Sequence, residues 1–197
     1  VISPSQYATP VTVRCFGTGD ALYEAYHDDE WGRPVHGDAD LFERFSLEAF
    51  QSGLSWLTIL RKREGFRRAF AGFDPAAVAE FAAADVDRLL LDAAIVRNRR
   101  KIEAVIANAR ALVALQGSGR TLTDLVWSHR PARHRRPRSL AELPATTPES
   151  VSLAKALKAV GFVFVGPTTA YASMQACGIV NDHLVGCPAG TQAAAGA

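Results

Sequence analysis

Four residues of metal-binding type stand towards the two ends of the chain, Cys15 and His27 early, His183 and Cys187 late. Each end offers one thiol and one imidazole, the donor set of a tetrahedral Cys2His2 structural zinc site. His183 and Cys187 have a spacing that one helical turn supplies, whereas the gap from Cys15 to His27 closes only through folding. Such a site would clasp the two ends of one domain. Ordinary burial preferences fit the four positions equally well as two core cysteines and two surface histidines.

A second group with chemical potential lies between Asp38 and Trp56. If Asp38 caps a helix, Leu41, Phe45, Glu48 and Ser52 fall at i, i+4, i+7 and i+11, which puts a carboxylate on the stripe that faces the core. A buried charge there is costly unless something complements it. Gly53 then stops the helix and Ser55 caps the next, presenting Leu54 at an exposed corner and Trp56 in the first turn beside the carboxylate. An apolar corner, an aromatic wall and a carboxylate are the parts needed to extrude, stack and read a nucleobase. By pattern alone Trp56 also fits the core and Glu48 also fits an arginine ion pair.

The elements that must hold these residues are helical. From Ile102 the apolar positions Val105, Ile106, Ala109, Leu112 and Val113 make one helix face, started by Asn98 and stopped by Gly117. Asp74-Pro75, Thr147-Pro148 and Ser139 with Glu142 read as helix starts, and Gly161 and Gly178 as stops. The run Phe162–Val165 is a strand candidate without a partner, so the fold class is all-α, with roughly eight to ten short helices and connections of about 2 to 8 residues. Residues 1–13 and 189–197 read as tails around a single domain at 14–188; the loop from His129 to Arg138 marks where two lobes would divide.

The chain has 197 residues, 48% hydrophobic and 21% charged, which excludes wholesale disorder. A net charge of only +2 means that any affinity for nucleic acid is local. Three basic patches are candidates: Arg97, Arg99, Arg100 and Lys101; Arg61, Lys62, Arg63, Arg67 and Arg68; and Arg130 to Arg138. Three cysteines, with Cys177 in an apolar helical segment, favour metal binding in a reducing cytoplasm over a disulfide framework. No segment is long and apolar enough to cross a membrane. A cytoplasmic monomer is expected.

Several words, in register, carry a resemblance. Tyr26-His27-Asp28-Asp29-Glu30-Trp31-Gly32, Leu41-Phe42-Glu43 with Leu47-Glu48, Gln51-Ser52-Gly53-Leu54-Ser55-Trp56, Phe73-Asp74-Pro75, and Met174-Gln175-Ala176-Cys177-Gly178 with Asn181-Asp182-His183 resemble the DNA-3-methyladenine glycosylase I family from about Arg14 to Cys187. The resemblance implies a helix-hairpin-helix DNA-repair fold, zinc held by Cys15, His27, His183 and Cys187, and a pocket in which Tyr26 and Trp56 stack on the base while Glu48 bonds to its edge. It further implies monofunctional, hydrolytic excision of 3-methyladenine from double-stranded alkylated DNA. Gly53 and Leu54 would meet the DNA at the corner. The hairpin would be Asp92 to Arg99, with Arg97, Arg99 and Lys101 adding charge towards phosphates.

Around these, Asp28 is placed to orient His27, Trp31 to pack beneath the zinc site, and His36, His129 and His134 on the surface. Two departures stand out. Phe16-Gly17-Thr18 follows Cys15 where the family has a pocket tryptophan two residues beyond the cysteine, so Gly17 stands at that position and the neighbouring Phe16 is the candidate substitute; and Ala94 occupies a hairpin position where the family tends to have glycine. A left-handed alanine would cost about 1 to 2 kcal/mol. The first departure motivates an alternative, a zinc-stabilised damage-binding protein of the same fold with weak or altered excision. A zinc-activated hydrolase is disfavoured because four protein ligands leave no open coordination position.

Overall fold

The computed structural model describes residues 14–195; the tail expected at residues 1–13 lies outside the described residues. The described residues contain no strand. The ten α-helices are α1 (Ala21–Asp29), α2 (Asp38–Gln51), α3 (Trp56–Ala69), α4 (Pro75–Ala79), α5 (Ala83–Leu91), α6 (Arg99–Gly117), α7 (Leu122–Trp127), α8 (Pro148–Ala159), α9 (Pro167–Ala176) and α10 (Pro188–Ala195). The last corrects an expectation, because residues 189–197 were read as a tail. Instead α10 begins at Pro188, Ala189 is buried, and Asn181 Nδ2 donates to the Gly190 carbonyl at 2.8 Å.

Local capping chemistry fixes most boundaries. The side chains of Ser55, Asp74, Asn98 and Thr147 accept from the amides of Thr58, Ala76, Lys101 and Ser150, satisfying donors that a helix start leaves open. Gly161 and Gly178 sit at positive φ beyond the ends of α8 and α9. Ser139 to Glu142 makes only a 3-10 turn at Leu140–Glu142, short of the expected helix. Asp38 departs further. Gly37 occupies the N-cap of α2, while the Asp38 carboxylate accepts from the Thr123 amide and hydroxyl, both at 2.9 Å, and so ties α2 to the start of α7.

The lone run Phe162–Val165 is stabilised by a side chain in place of a neighbouring strand. Buried Asn108 of α6 accepts from the Val163 amide at 2.7 Å and donates to its carbonyl at 3.1 Å, while Phe162 and Val165 enter the core. The main core runs from α2 through α3 to α6 and α9 and includes Phe50, Phe66, Phe70 and Phe73. A smaller cluster of Cys15, Tyr26, Trp31, Leu60, Leu184 and Cys187 joins both ends of the domain, and Trp56 packs on both cores.

The turn between α5 and α6 packs on α3, where Lys62 Nζ donates to the Ala93 carbonyl at 2.7 Å. Ala94 has no positive φ, so the expected left-handed penalty does not arise. Its methyl fits because its neighbour lacks one: a Cβ on Gly65 would lie 2.5 Å from the Ala94 carbonyl oxygen and 2.8 Å from its Cβ. Gly65→Ala should therefore destabilise the protein by about 1 to 3 kcal/mol through overpacking, seen as a lower Tm in thermal unfolding. An unchanged Tm would show that this contact is not tight.

Candidate functional site

Helix α2 delivers Glu48 to the wall of a cavity of about 220 Å³ bordered by Phe16, Tyr26, Trp31, Trp56 and Gln175. The cavity is smaller than the roughly 300 to 1,000 Å³ usual for drug-sized ligands, which suits one planar heterocycle. The Tyr26 and Trp56 ring centroids are 5.2 Å apart at 43°. Phe16 thus stands in the wall, edge-on to Trp31 with centroids 4.9 Å apart. Trp31 both borders the cavity and packs against His183 at 4.6 Å.

Two polar groups in this wall lack protein partners. Glu48 is 7% exposed and, among the described residues, receives no hydrogen bond at its carboxyl. Burial pushes its pKa up to about 8, against the opposing pull of Arg44 one turn earlier. The Trp56 indole N–H is buried without a partner among the described residues. Gln175 is a wall residue that the sequence reading did not single out, although its motif was in view. Its amide NH2 donates to buried Asp182 at 2.8 Å, which leaves its carbonyl oxygen available as an acceptor.

The corner beside the cavity forms as its sequence requires. Gly53 has φ of 82°, Ser55 caps α3 and Leu54 is 38% exposed. Lys101, expected as a phosphate contact, is instead buried. Its Nζ donates to the carbonyls of Phe50 at 2.8 Å and Ser52 at 2.5 Å, closing the C-terminus of α2 and fixing the corner. Arg97 and Arg99 are exposed at the start of α6, with Arg99 paired to Asp87 and Glu103. In the second basic patch Arg61, Arg63 and Arg67 are paired with Asp20, Glu30 and Glu43 respectively, so much of its charge is spent within the protein.

Behind the cavity, ligand atoms of Cys15, His27 and Cys187 lie within 4.8 Å of one another, all buried, in an arrangement able to hold a metal ion. Asp28 Oδ1 is 2.6 Å from His27 Nδ1, as expected of an orienting group, which leaves Nε2 towards Cys187 Sγ at 3.6 Å. His183 is not part of that three-residue group, but its ring centroid is 5.1 Å from that of His27. Its Nε2 is buried with no partner among the described residues, and burial lowers its pKa to about 4, so the imidazole is neutral and free to ligate. His36 stacks on Trp127 and His129 bonds to the Leu125 carbonyl. His134, read as an unpartnered surface residue, is 2.9 Å from buried Asp182.

A larger cavity of about 430 Å³, lined by Arg130, His134, Arg136 and Asn181, lies elsewhere. It lacks aromatic walls, and His134 and Arg136 there are bonded to protein groups. The aromatic cavity, beside an exposed apolar corner on an all-helical frame, is therefore the candidate chemical site. The pattern of the methyladenine glycosylase family matches residues 16–190. DNA-3-methyladenine glycosylase 1 of Escherichia coli (strain K12) is 50% identical over 171 residues, 85% of this chain and 91% of that protein. A crystal structure of 3-methyladenine DNA glycosylase I superposes with a TM-score of 0.86 at 48% identity, covering 89% of this chain and 98% of the other. A variant of 3-methyladenine DNA glycosylase I in complex with 3-methyladenine gives 0.83 at 35% identity, covering 89% and 96%. The chain belongs to the methyladenine glycosylase family.

The Glu48 carboxyl has a measurable signature. Its folded pKa lies above the unfolded value, so the folded state holds an extra proton from about pH 4.5 to 8, and stability is lost as pH rises through that window. Glu48→Gln removes the titration. Thermal unfolding should show Glu48→Gln gaining on the wild type between pH 5 and 8, by an amount on the order of a few kcal/mol. A difference independent of pH would mean that Glu48 is not the buried titrating group.

Proposed function

We propose that the protein excises 3-methyladenine from alkylated double-stranded DNA by hydrolysis, leaving an abasic site. The observation that carries this reading is the buried, undonated Glu48 carboxyl in an aromatic cavity beside exposed Leu54. Leu54 enters the stack as the base leaves it, and the base passes into the cavity. Adenine methylated at N3 is a cation with a labile glycosidic bond. Aromatic faces attract such a cation by about 0.5 to 2 kcal/mol per contact, and Glu48, ionised on its arrival, complements its charge and exocyclic amino group. Neutral adenine gives no such return for ionising a buried carboxyl, which provides the selectivity.

Water attacks the sugar carbon as the bond to the base breaks. The bonding electron pair neutralises the departing 3-methyladenine, and the water passes its proton to solvent to leave the sugar hydroxyl. Little acid catalysis is needed, so Glu48 acts first in recognition. A Schiff base route has no support in the lysines, since Lys62 and Lys101 are both bonded to carbonyls. Phe16 borders the cavity on the side where the family's tryptophan is missing at Gly17, which supports excision over damage binding alone. The α5–turn–α6 unit is read as the helix-hairpin-helix element, its amides and Arg97 and Arg99 facing phosphates.

Cys15, His27, His183 and Cys187 fit a structural zinc. Two thiols and two imidazoles suit a tetrahedral ion, and the unpartnered His183 Nε2 needs such a partner. Zinc bound there would fasten both ends of the domain and take no part in the hydrolysis. Three buried free cysteines suit a reducing compartment such as the cytoplasm.

Two experiments test these readings. With methylated duplex DNA, the wild type should release free 3-methyladenine and Glu48→Ala should lose at least about 100-fold in single-turnover rate, roughly 2.7 kcal/mol; excision retained by the variant would remove Glu48 from the site. Elemental analysis should find one zinc per chain, and His183→Ala should lower both zinc content and Tm. A variant of unchanged Tm and zinc content would exclude His183 as a ligand.

A further inference from the structure

The third basic patch is the one that the site does not absorb. Residues 129–138 form an irregular loop with five arginines and two histidines. Its side chains divide into two sets. His134 lies against Asp182 at 2.9 Å, and Arg136 donates to the carbonyls of His183 at 3.0 Å, Leu184 at 2.5 Å and Cys187 at 3.0 Å. Buried Pro137 accepts from the Val185 amide at 2.8 Å. These contacts pin the loop to the segment that carries the late metal-binding residues.

Arg133, Arg135 and Arg138 take no part in this anchoring. All three are exposed, and among the described residues no carboxylate is within ion-pair distance of their guanidinium groups. Glu142 accepts from the Arg138 backbone amide. This differs from the second patch, whose arginines are largely paired inside the protein. Anchoring at 134, 136 and 137 removes much of the entropy that a mobile loop would lose on binding an anion. Three unpaired cations on a fixed loop are arranged for a polyanion.

Continuity with the site identifies which polyanion. Leu140 and Leu143, which follow the loop directly, line the base cavity together with Gln51 and Trp56, the residues on either side of the Leu54 corner in the chain. Arg138 is two residues from Leu140, about 7 Å in an extended chain. A nucleotide whose base occupies the cavity brings its phosphates to the mouth, next to the segment that follows the loop. We infer that Arg133, Arg135 and Arg138 contact DNA phosphates beside the flipped nucleotide, so that the loop holds the duplex in addition to the Leu54 corner. This rests on reading the cavity as a site for a base extruded from DNA.

The test compares salt dependence. Binding of a short undamaged duplex, followed by fluorescence anisotropy from about 50 to 200 mM salt, reports released counterions at about 0.9 per phosphate contact. The variant Arg133→Gln/Arg135→Gln/Arg138→Gln should lower the slope of log K against log salt by about 2 to 3. Its KM for methylated duplex should rise at least about tenfold, with single-turnover excision at saturating DNA within about twofold of the wild type. Arg120→Gln/Lys155→Gln/Lys158→Gln removes equal charge elsewhere on the surface and should leave the slope unchanged. An unchanged slope and KM in the loop variant, or an equal fall in the control, would overturn the inference while leaving excision standing. A wild type that binds with the loop-dependent slope but releases no base would instead overturn the proposed excision and leave the loop contact in place.

Discussion

A carboxyl group held away from water, with no hydrogen-bond donor, is expensive, and the surroundings of Glu48 are organised around keeping it there. Arg44, one turn earlier on α2, offers the opposing charge but is itself ion-paired to Glu30 at 3.1 Å. Glu30 is also gripped by both terminal nitrogens of Arg63 on α3. The cation nearest Glu48 is therefore already half answered, and it lowers the Glu48 pKa too little to offset burial. This chain of charges runs from α2 through Glu30, the residue that closes α1, to α3, so the same contacts that join three helices leave one acid unsatisfied in the cavity. A ligand that is both cationic and a hydrogen-bond donor supplies what the protein withholds.

What the sequence made legible was local. Ser55, Asp74, Asn98 and Thr147 act within three residues of themselves, and each caps the helix its neighbours suggest. The corner at Gly53, Leu54 and Ser55 is of the same kind, since a glycine stop and a serine cap need no distant partner. The failures were non-local. Lys101 looks like one more basic residue at a helix start, yet its partners are carbonyls 51 and 49 positions away. Asp38 looks like a cap for its own helix and instead serves Thr123, 85 residues on. Gln175 gains meaning only from Asp182, which fixes its amide. Spacing reports which side chains share a face; it does not report which backbone groups elsewhere are short of a partner.

Ala94 illustrates a related limit. Its suitability depended on Gly65, on another helix, whose missing methyl makes the room. A substitution that looks strained by its own position is accommodated by the residue across the contact. Gly17, which carries no side chain where the family has tryptophan, is offset by its neighbour Phe16, which meets Tyr23, His27 and Trp31 within about 5 Å and so belongs to a continuous aromatic wall.

The contact between the early and late segments has a consequence in time. The Leu184 amide donates to Cys15 Sγ across 169 residues of chain, and Phe16 and Tyr26 stand beside the group thus closed. During synthesis this wall has nothing to rest on until the segment with Leu184 and Cys187 leaves the ribosome. A chain halted earlier, at the end of α9 for example, would already carry Glu48, Trp56 and the Leu54 corner but lack the scaffold for the opposite side of the cavity. A product that ends before Leu184 and Cys187 is thereby denied a finished cavity in which to seat and release a base.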